Sequence, residues 1–134
     1  MISRSDAKNK YHARRVYRGG MWFASKKEAD RYFQLLLLQR AGNISDLRTQ
    51  VSYELVPTQY QEIPTGTYYV HGGRKGQEKV KRVCVEQSVC YVADFVYTEG
   101  GKLIVEHTKG VRTEAYIIKR KLMLHVHGIK IMEI

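Results

Sequence analysis

The sequence predicts an α/β fold in which helices pack on a mixed sheet, in the order α-β-β-β-α-β, and three observations carry that prediction. Ser25-Lys26-Lys27-Glu28 opens a run with apolar residues at helical spacing; Val80 to Tyr97 is rich in β-branched and aromatic residues; Thr113 opens a second helical run before a short alternating C-terminus. Helices interleaved with strands need a sheet whose faces they can cover. At 134 residues and 43% hydrophobic, the chain can form one domain with a real core. That domain is expected over 21–134, behind a basic arm over 1–20.

The arm carries Arg4, Lys8, Lys10, Arg14, Arg15 and Arg18 against one acid, Asp6, and shows neither a helical nor a strand period. Tyr11, His12 and Tyr17 are interleaved with the cations, a pattern shared by solvated tails and by phosphate-contacting arms. Arg14, Arg15 and Arg18 are its candidate DNA contacts.

Ser25 and Glu28 form a capping-box pattern, and Ala29, Tyr32, Phe33, Leu36 and Leu37 recur at helical spacing, giving a helix over 26–41. The run Leu35 to Leu38 makes it apolar around more than half its circumference, so cover on two sides is expected. Gly42-Asn43 stops it. Alternation in Leu47, Gln50, Val51, Tyr53 and Leu55 predicts a strand over 48–56, closed by Pro57. Residues 57–79 mix Pro64, Gly66, Gly72, Gly73 and Gly76 with Arg74, Lys75 and Lys79, and read as a loop insertion with a short strand at Tyr68 to Val70. Glu86-Gln87-Ser88 divides the next β-rich stretch into two strands, and Thr98 to Gly101 closes a hairpin into Lys102 to Thr108. Thr113 caps a helix that ends near His127-Gly128, and Ile129 to Ile134 makes a last strand. His125 and His127 read as packing or surface residues.

A balance of 23 Lys+Arg against 13 Asp+Glu gives a formal +10, so the long-range field attracts a polyanion. Nucleic acid is the leading partner class and an anionic membrane surface its rival. No apolar run is long enough to span a bilayer and the N-terminus has no apolar signal region, so a cytoplasmic location is expected. Cys84 and Cys90 are too few for a disulfide framework and form no Cys-x-x-Cys zinc pair.

The chemistry concentrates on the hairpin. Asp94 stands in the run Val92 to Val96, where a carboxylate has poor β-propensity and costs energy if buried without a partner. Along the next strand Val105, His107 and Lys109 share one face, while Ile104, Glu106 and Thr108 share the other. If Gly100 and Gly101 are the two central turn residues, Glu99 pairs with Lys102 and Asp94 falls opposite His107; an odd loop or a bulge would bring Glu106 there instead. A hard divalent cation held by carboxylates, with a lysine beside it, is the equipment for phosphodiester hydrolysis. Neutral imidazole is a poor magnesium ligand but serves manganese or zinc. Arg112, Lys119, Arg120 and Lys121 adjoin this region; Arg112, Lys119 and Lys121 are further candidate phosphate contacts.

Ala93-Asp94-Phe95-Val96-Tyr97, then Ile104-Val105-Glu106-His107-Thr108-Lys109-Gly110, then Arg112-Thr113-Glu114-Ala115-Tyr116 and Lys119-Arg120-Lys121-Leu122-Met123, form an ordered set. It resembles a family of small phage and prophage proteins in the PD-(D/E)XK nuclease superfamily, similar in pattern to Holliday-junction resolvases. Phe23 to Ala29 and Ile44 to Gln50 fit the same pattern. The resemblance implies a restriction-endonuclease-like fold and a magnesium- or manganese-dependent endodeoxyribonuclease of phage recombination or replication, working in the bacterial host cytoplasm on branched or duplex DNA as a homodimer. It makes Asp94 the metal-binding aspartate, Lys109 the motif lysine, Glu28 an outer ligand, and sets Gln50 near the site. The family pattern has an acid where this chain has His107. Three accounts of that departure stand open: an inactivated nuclease, recruitment of Glu106 through a bulge, or a metal that accepts imidazole at His107. Two other functions compete, a non-catalytic nucleic-acid-binding module on the same scaffold and a basic protein with an acidic protein partner.

Overall fold

The computed structural model describes residues 14–108 and 110–134. They form β1 (Val16–Arg18), β2 (Met21–Phe23), α1 (Lys26–Arg40), β3 (Ser45–Val56), β4 (Gln59–Tyr68), β5 (Glu78–Glu86), β6 (Val89–Glu99), β7 (Lys102–His107), α2 (Glu114–His127) and β8 (Met132–Glu133). The chain divides into two compact units, residues up to 53 with 91–134, and residues 54–90. No helix among the described residues is long and apolar enough to cross a membrane.

In the larger unit a four-stranded sheet of order β3-β6-β7-β8 is mixed, with β6 and β7 antiparallel and β7 and β8 parallel. Helices cover both of its faces. On one, Tyr32 of α1 stacks on Phe95 with ring centroids 6.3 Å apart, and Leu35, Ile44, Phe95 and Tyr97 make a buried cluster. On the other, Tyr116 of α2 lies against His107. Residues Ala93 to Tyr97 are consequently all buried, and the central strand shows a near-continuous apolar run interrupted by Asp94.

Both helix starts follow from local chemistry. The Ser25 hydroxyl accepts from the Glu28 N–H at 3.2 Å, and the Thr113 hydroxyl from the Tyr116 N–H at 3.1 Å. Gly128, with φ 67°, ends α2 as the N–H groups of Gly128 and Ile129 return to the carbonyls of Leu124 and Met123.

Four expectations need correction. The leucine run of α1 is not covered on two sides: Leu35 is buried while Leu37 is 64% exposed, because a helix lying on a sheet buries one stripe and four consecutive residues point all round it. The C-terminal strand is shorter than 129–134, because pairing to β7 reaches only Met132 and Glu133. Residues 14–20 are not a period-less arm: β1 pairs with β2 across the two-residue turn Gly19-Gly20, at φ 60° and 80°, and strands of 3 residues are too short to show an alternation. The remainder of the predicted arm, residues 1–13, lies outside the described residues.

The fourth correction is the smaller unit. Residues 57–79 are not a loop, since most of them belong to β4 and its turn into β5, an antiparallel ribbon pairing Gln59 with Glu86 and Ile63 with Lys81. All of β4 is exposed, so no buried face imposed the hydrophobic alternation by which a strand is recognised. The ribbon's far turn is closed by Tyr69 N–H to the Gln77 carbonyl at 3.0 Å and Gly76 N–H to the Tyr69 carbonyl at 2.9 Å.

Candidate functional site

Gly100 and Gly101, at φ 57° and 77°, take the two left-handed positions of a tight hairpin turn, and Glu99 pairs with Lys102. The pairing continues without a shift to Phe95 opposite Glu106. The next position in this register sets Asp94 across from His107, so the bulge that would recruit Glu106 is not formed.

Asp94 is 2% exposed and its Oδ2 accepts from the Thr108 N–H at 2.9 Å and the Thr108 hydroxyl at 3.2 Å. The same oxygen lies 3.7 Å from Nδ1 of His107. Among the described residues, Oδ1 accepts no hydrogen bond. The His107 ring stacks on Tyr116 with centroids 3.9 Å apart and planes 9° from parallel, and its Nδ1 is 3.4 Å from the Tyr91 hydroxyl. Burial, helped by the charge of Asp94, pushes the Tyr91 phenol far up, so it stays protonated beside the pair.

Behind the stack lies a second set of charges. The Tyr116 hydroxyl donates to Glu133 at 2.9 Å; burial first, and then that hydrogen bond, push its phenol up. Arg120 donates to the same Glu133 oxygen at 2.9 Å, and Arg112 pairs with the other. Hydrogen bonding from Arg120, then from Tyr116, holds the Glu133 carboxyl below the usual range against an opposing desolvation. The face of Tyr116 that clamps His107 is therefore anchored through its hydroxyl to a charged cluster.

Glu106 is on the opposite face and fully occupied. Arg31 of α1 grips it with Nε on Oε1 and Nη2 on Oε2, both at 2.7 Å, while the Tyr97 hydroxyl donates to Oε2 at 2.6 Å. The hydrogen bond to Glu106 holds the Arg31 guanidinium pKa up. Glu106 is thus half of a buried ion pair and not a partner of Asp94, which corrects its assignment as a metal ligand.

Glu28 combines the capping role with a second one: Oε2 accepts from the Ala24 N–H at 3.2 Å and Oε1 from the Gln50 side-chain amide at 2.9 Å. Gln50 adopts φ 53°, a left-handed conformation that costs a non-glycine residue energy and that tends to occur at functional positions. A cleft of about 360 Å³ opens here, lined by Arg15, Trp22, Glu28, Thr49 and Gln50 among others. Glu28 and Gln50 are brought together by this hydrogen bond, while Asp94 is partnered by Thr108 and His107.

The cations are distributed as follows. Arg15 lies over the Trp22 ring at 5.0 Å, and Arg18 covers Phe33 at 4.6 Å while pairing with Asp30 at 2.6 Å. Arg14 and Lys121 are exposed and Lys119 is half-buried, whereas Arg112 is committed to Glu133. Lys109 lies outside the described residues.

Among the described residues no group of three or more His, Cys, Asp or Glu side chains converges as a metal site requires. The geometry gives the reason: Asp94, Glu106 and Glu28 are held by three different sets of partners, and His107 is stacked flat against a ring. As placed, these three carboxylates do not converge on one ion.

The family described as protein of unknown function (DUF1064) matches residues 8–132. The chain belongs to it. No curated protein and no solved structure matches the chain.

Sequence reasoning missed Thr108, Tyr91, Tyr116, Arg31 and Tyr97. A signal existed for one: a buried Glu106 demands a cation, and Arg31 follows Glu28 by one helical turn, on the face that meets the sheet.

Proposed function

We propose that this protein binds DNA through a scaffold of nuclease type whose cleavage site has been disarmed at His107. The observation that carries the reading is the clamp on His107: it stands across from the buried Asp94, where the PD-(D/E)XK resemblance calls for an acid, with its ring pressed on Tyr116. Imidazole fixed in an aromatic stack supplies neither the negative charge nor the hard oxygen donors that magnesium needs. Asp94 then works as a structural acceptor, holding the end of β7 through both hydrogen-bond donors of Thr108. Affinity is assigned to the cationic surface of a +10 chain and recognition to the phosphate backbone.

The test pairs binding with cleavage. Labelled duplex and four-way-junction DNA should bind in EDTA with strong salt dependence, and plasmid should stay intact with magnesium or manganese. Salt-insensitive or absent binding would overturn the proposal and favour an acidic protein partner. A second reading, an active nuclease using a metal that tolerates His107, draws on one observation: Oδ1 of Asp94 accepts nothing among the described residues and is available to an ion. Manganese-dependent cutting by the unaltered protein, lost on Asp94→Asn, would establish it.

A further inference from the structure

The ribbon of β4 and β5 has no interior. Every residue of β4 is exposed, and in β5 Val83 alone is half-buried. A two-stranded ribbon is marginally stable in water by itself, so strands of 10 and 9 residues with no apolar face contribute little to a core. What they carry is charge set on aromatic rings. Between residues 74 and 82 stand Arg74, Lys75, Lys79, Lys81 and Arg82 against one acid, Glu78. Arg82 lies over the Tyr60 ring at 3.8 Å, and Arg74 and Lys79 lie over Tyr69 at 5.8 and 5.3 Å. Such stacking orders long cationic side chains before any ligand arrives, which lowers the entropy lost on binding.

We propose that this ribbon is a DNA-clasping arm that lies in a groove of the duplex, with the cations of residues 74–82 on phosphates and Tyr60 and Tyr69 against the sugar-phosphate wall. The inference rests on the DNA-binding reading above and deepens it by naming the contacting element. Dimensions agree: 10 residues at roughly 3.3 Å each extend about 33 Å, and the B-form major groove, about 12 Å wide, admits a two-stranded ribbon. The deep, narrow major groove of A-form RNA does not. Charge selects the occupant too, since a second copy would bring +10 against +10 whereas a phosphate backbone neutralises the cations.

The structure licenses a clean excision, because Gln59 pairs with Glu86 and the Ser88 N–H reaches the Thr58 hydroxyl at 3.2 Å at the ribbon's base. One variant replaces residues 60–85 with Asn-Gly; a second, Arg74→Ala/Lys75→Ala/Lys79→Ala/Lys81→Ala, alters exposed side chains alone. Both are titrated in EDTA by anisotropy with a labelled duplex across a salt series, with circular dichroism as the folding control. Losing four phosphate contacts should lower the slope of log K against log salt by about 3 to 4, and weaken binding roughly tenfold or more at physiological salt. A slope unchanged in the quadruple variant while the intact protein binds DNA overturns the arm and leaves the DNA-binding reading standing. Equal affinity for duplex RNA overturns it as well, as does an excision that splits a dimer by light scattering without altering DNA affinity. An intact protein with no salt-sensitive affinity overturns both readings.

Discussion

Replacing Arg31 with Met isolates the buried carboxylate of Glu106, and the structure sets the size of the effect. Glu106 is 0% exposed, and the two guanidinium bonds at 2.7 Å are its charge partners, while Tyr97 supplies one neutral donor at 2.6 Å. Breaking a buried ion pair from one side costs about 3–5 kcal/mol, because the remaining charge stays desolvated. The Arg31 side chain is 22% exposed and Tyr97 persists in the variant, so the lower end applies, about 3 kcal/mol. That is a large share of the roughly 5–15 kcal/mol by which domains are stable. Urea unfolding should show the midpoint falling with an unchanged slope. The double variant Arg31→Met/Glu106→Leu should recover most of the loss, since it removes the stranded charge as well. A single-variant cost below about 1 kcal/mol, or a double variant no better than the single, would refute the assignment of Glu106 to a structural pair. Manganese should not rescue Arg31→Met.

His107→Asp should set two carboxylates face to face, lowering the thermal midpoint in EDTA and raising it on adding manganese; a midpoint indifferent to manganese would show that position 107 does not face a cation site. Gly19→Ala should cost about 1–2 kcal/mol, since φ is +60° and the new Cβ would meet Cζ of Phe33 at 2.5 Å; an equal cost for Gly20→Ala, where space is open, would remove the steric part of that account. The folded pKa of Glu133 lies below its unfolded value, so its contribution to stability is present above the usual carboxylate range and lost as pH falls through the depressed value. Unfolding midpoints taken from about pH 5 down to about pH 3 should therefore fall less steeply in Glu133→Gln, and parallel curves would contradict the ion-pair cluster.

What the sequence by itself determined is local. Ser25 with Glu28 and Thr113 marked the helix starts because a cap is a contact across three residues, and Gly100-Gly101 set the hairpin register because two adjacent residues must both take positive φ. That register puts His107 across from Asp94 once the pairing runs on without a bulge, which the folded sheet decided. Tertiary structure alone decided the rest, because it turned on which distant surfaces met. Arg31 and Glu106 are 75 residues apart and are joined only when α1 settles on the sheet. The clamp on His107 needed α2 to bring Tyr116 to the opposite face. Leu37 was left in solvent because a helix has one buried stripe, and β4 was invisible as a strand because no core imprinted its period on it, whereas β5 was legible by its β-branched composition. Pattern in a sequence records burial, and an element exposed on every side leaves no such record.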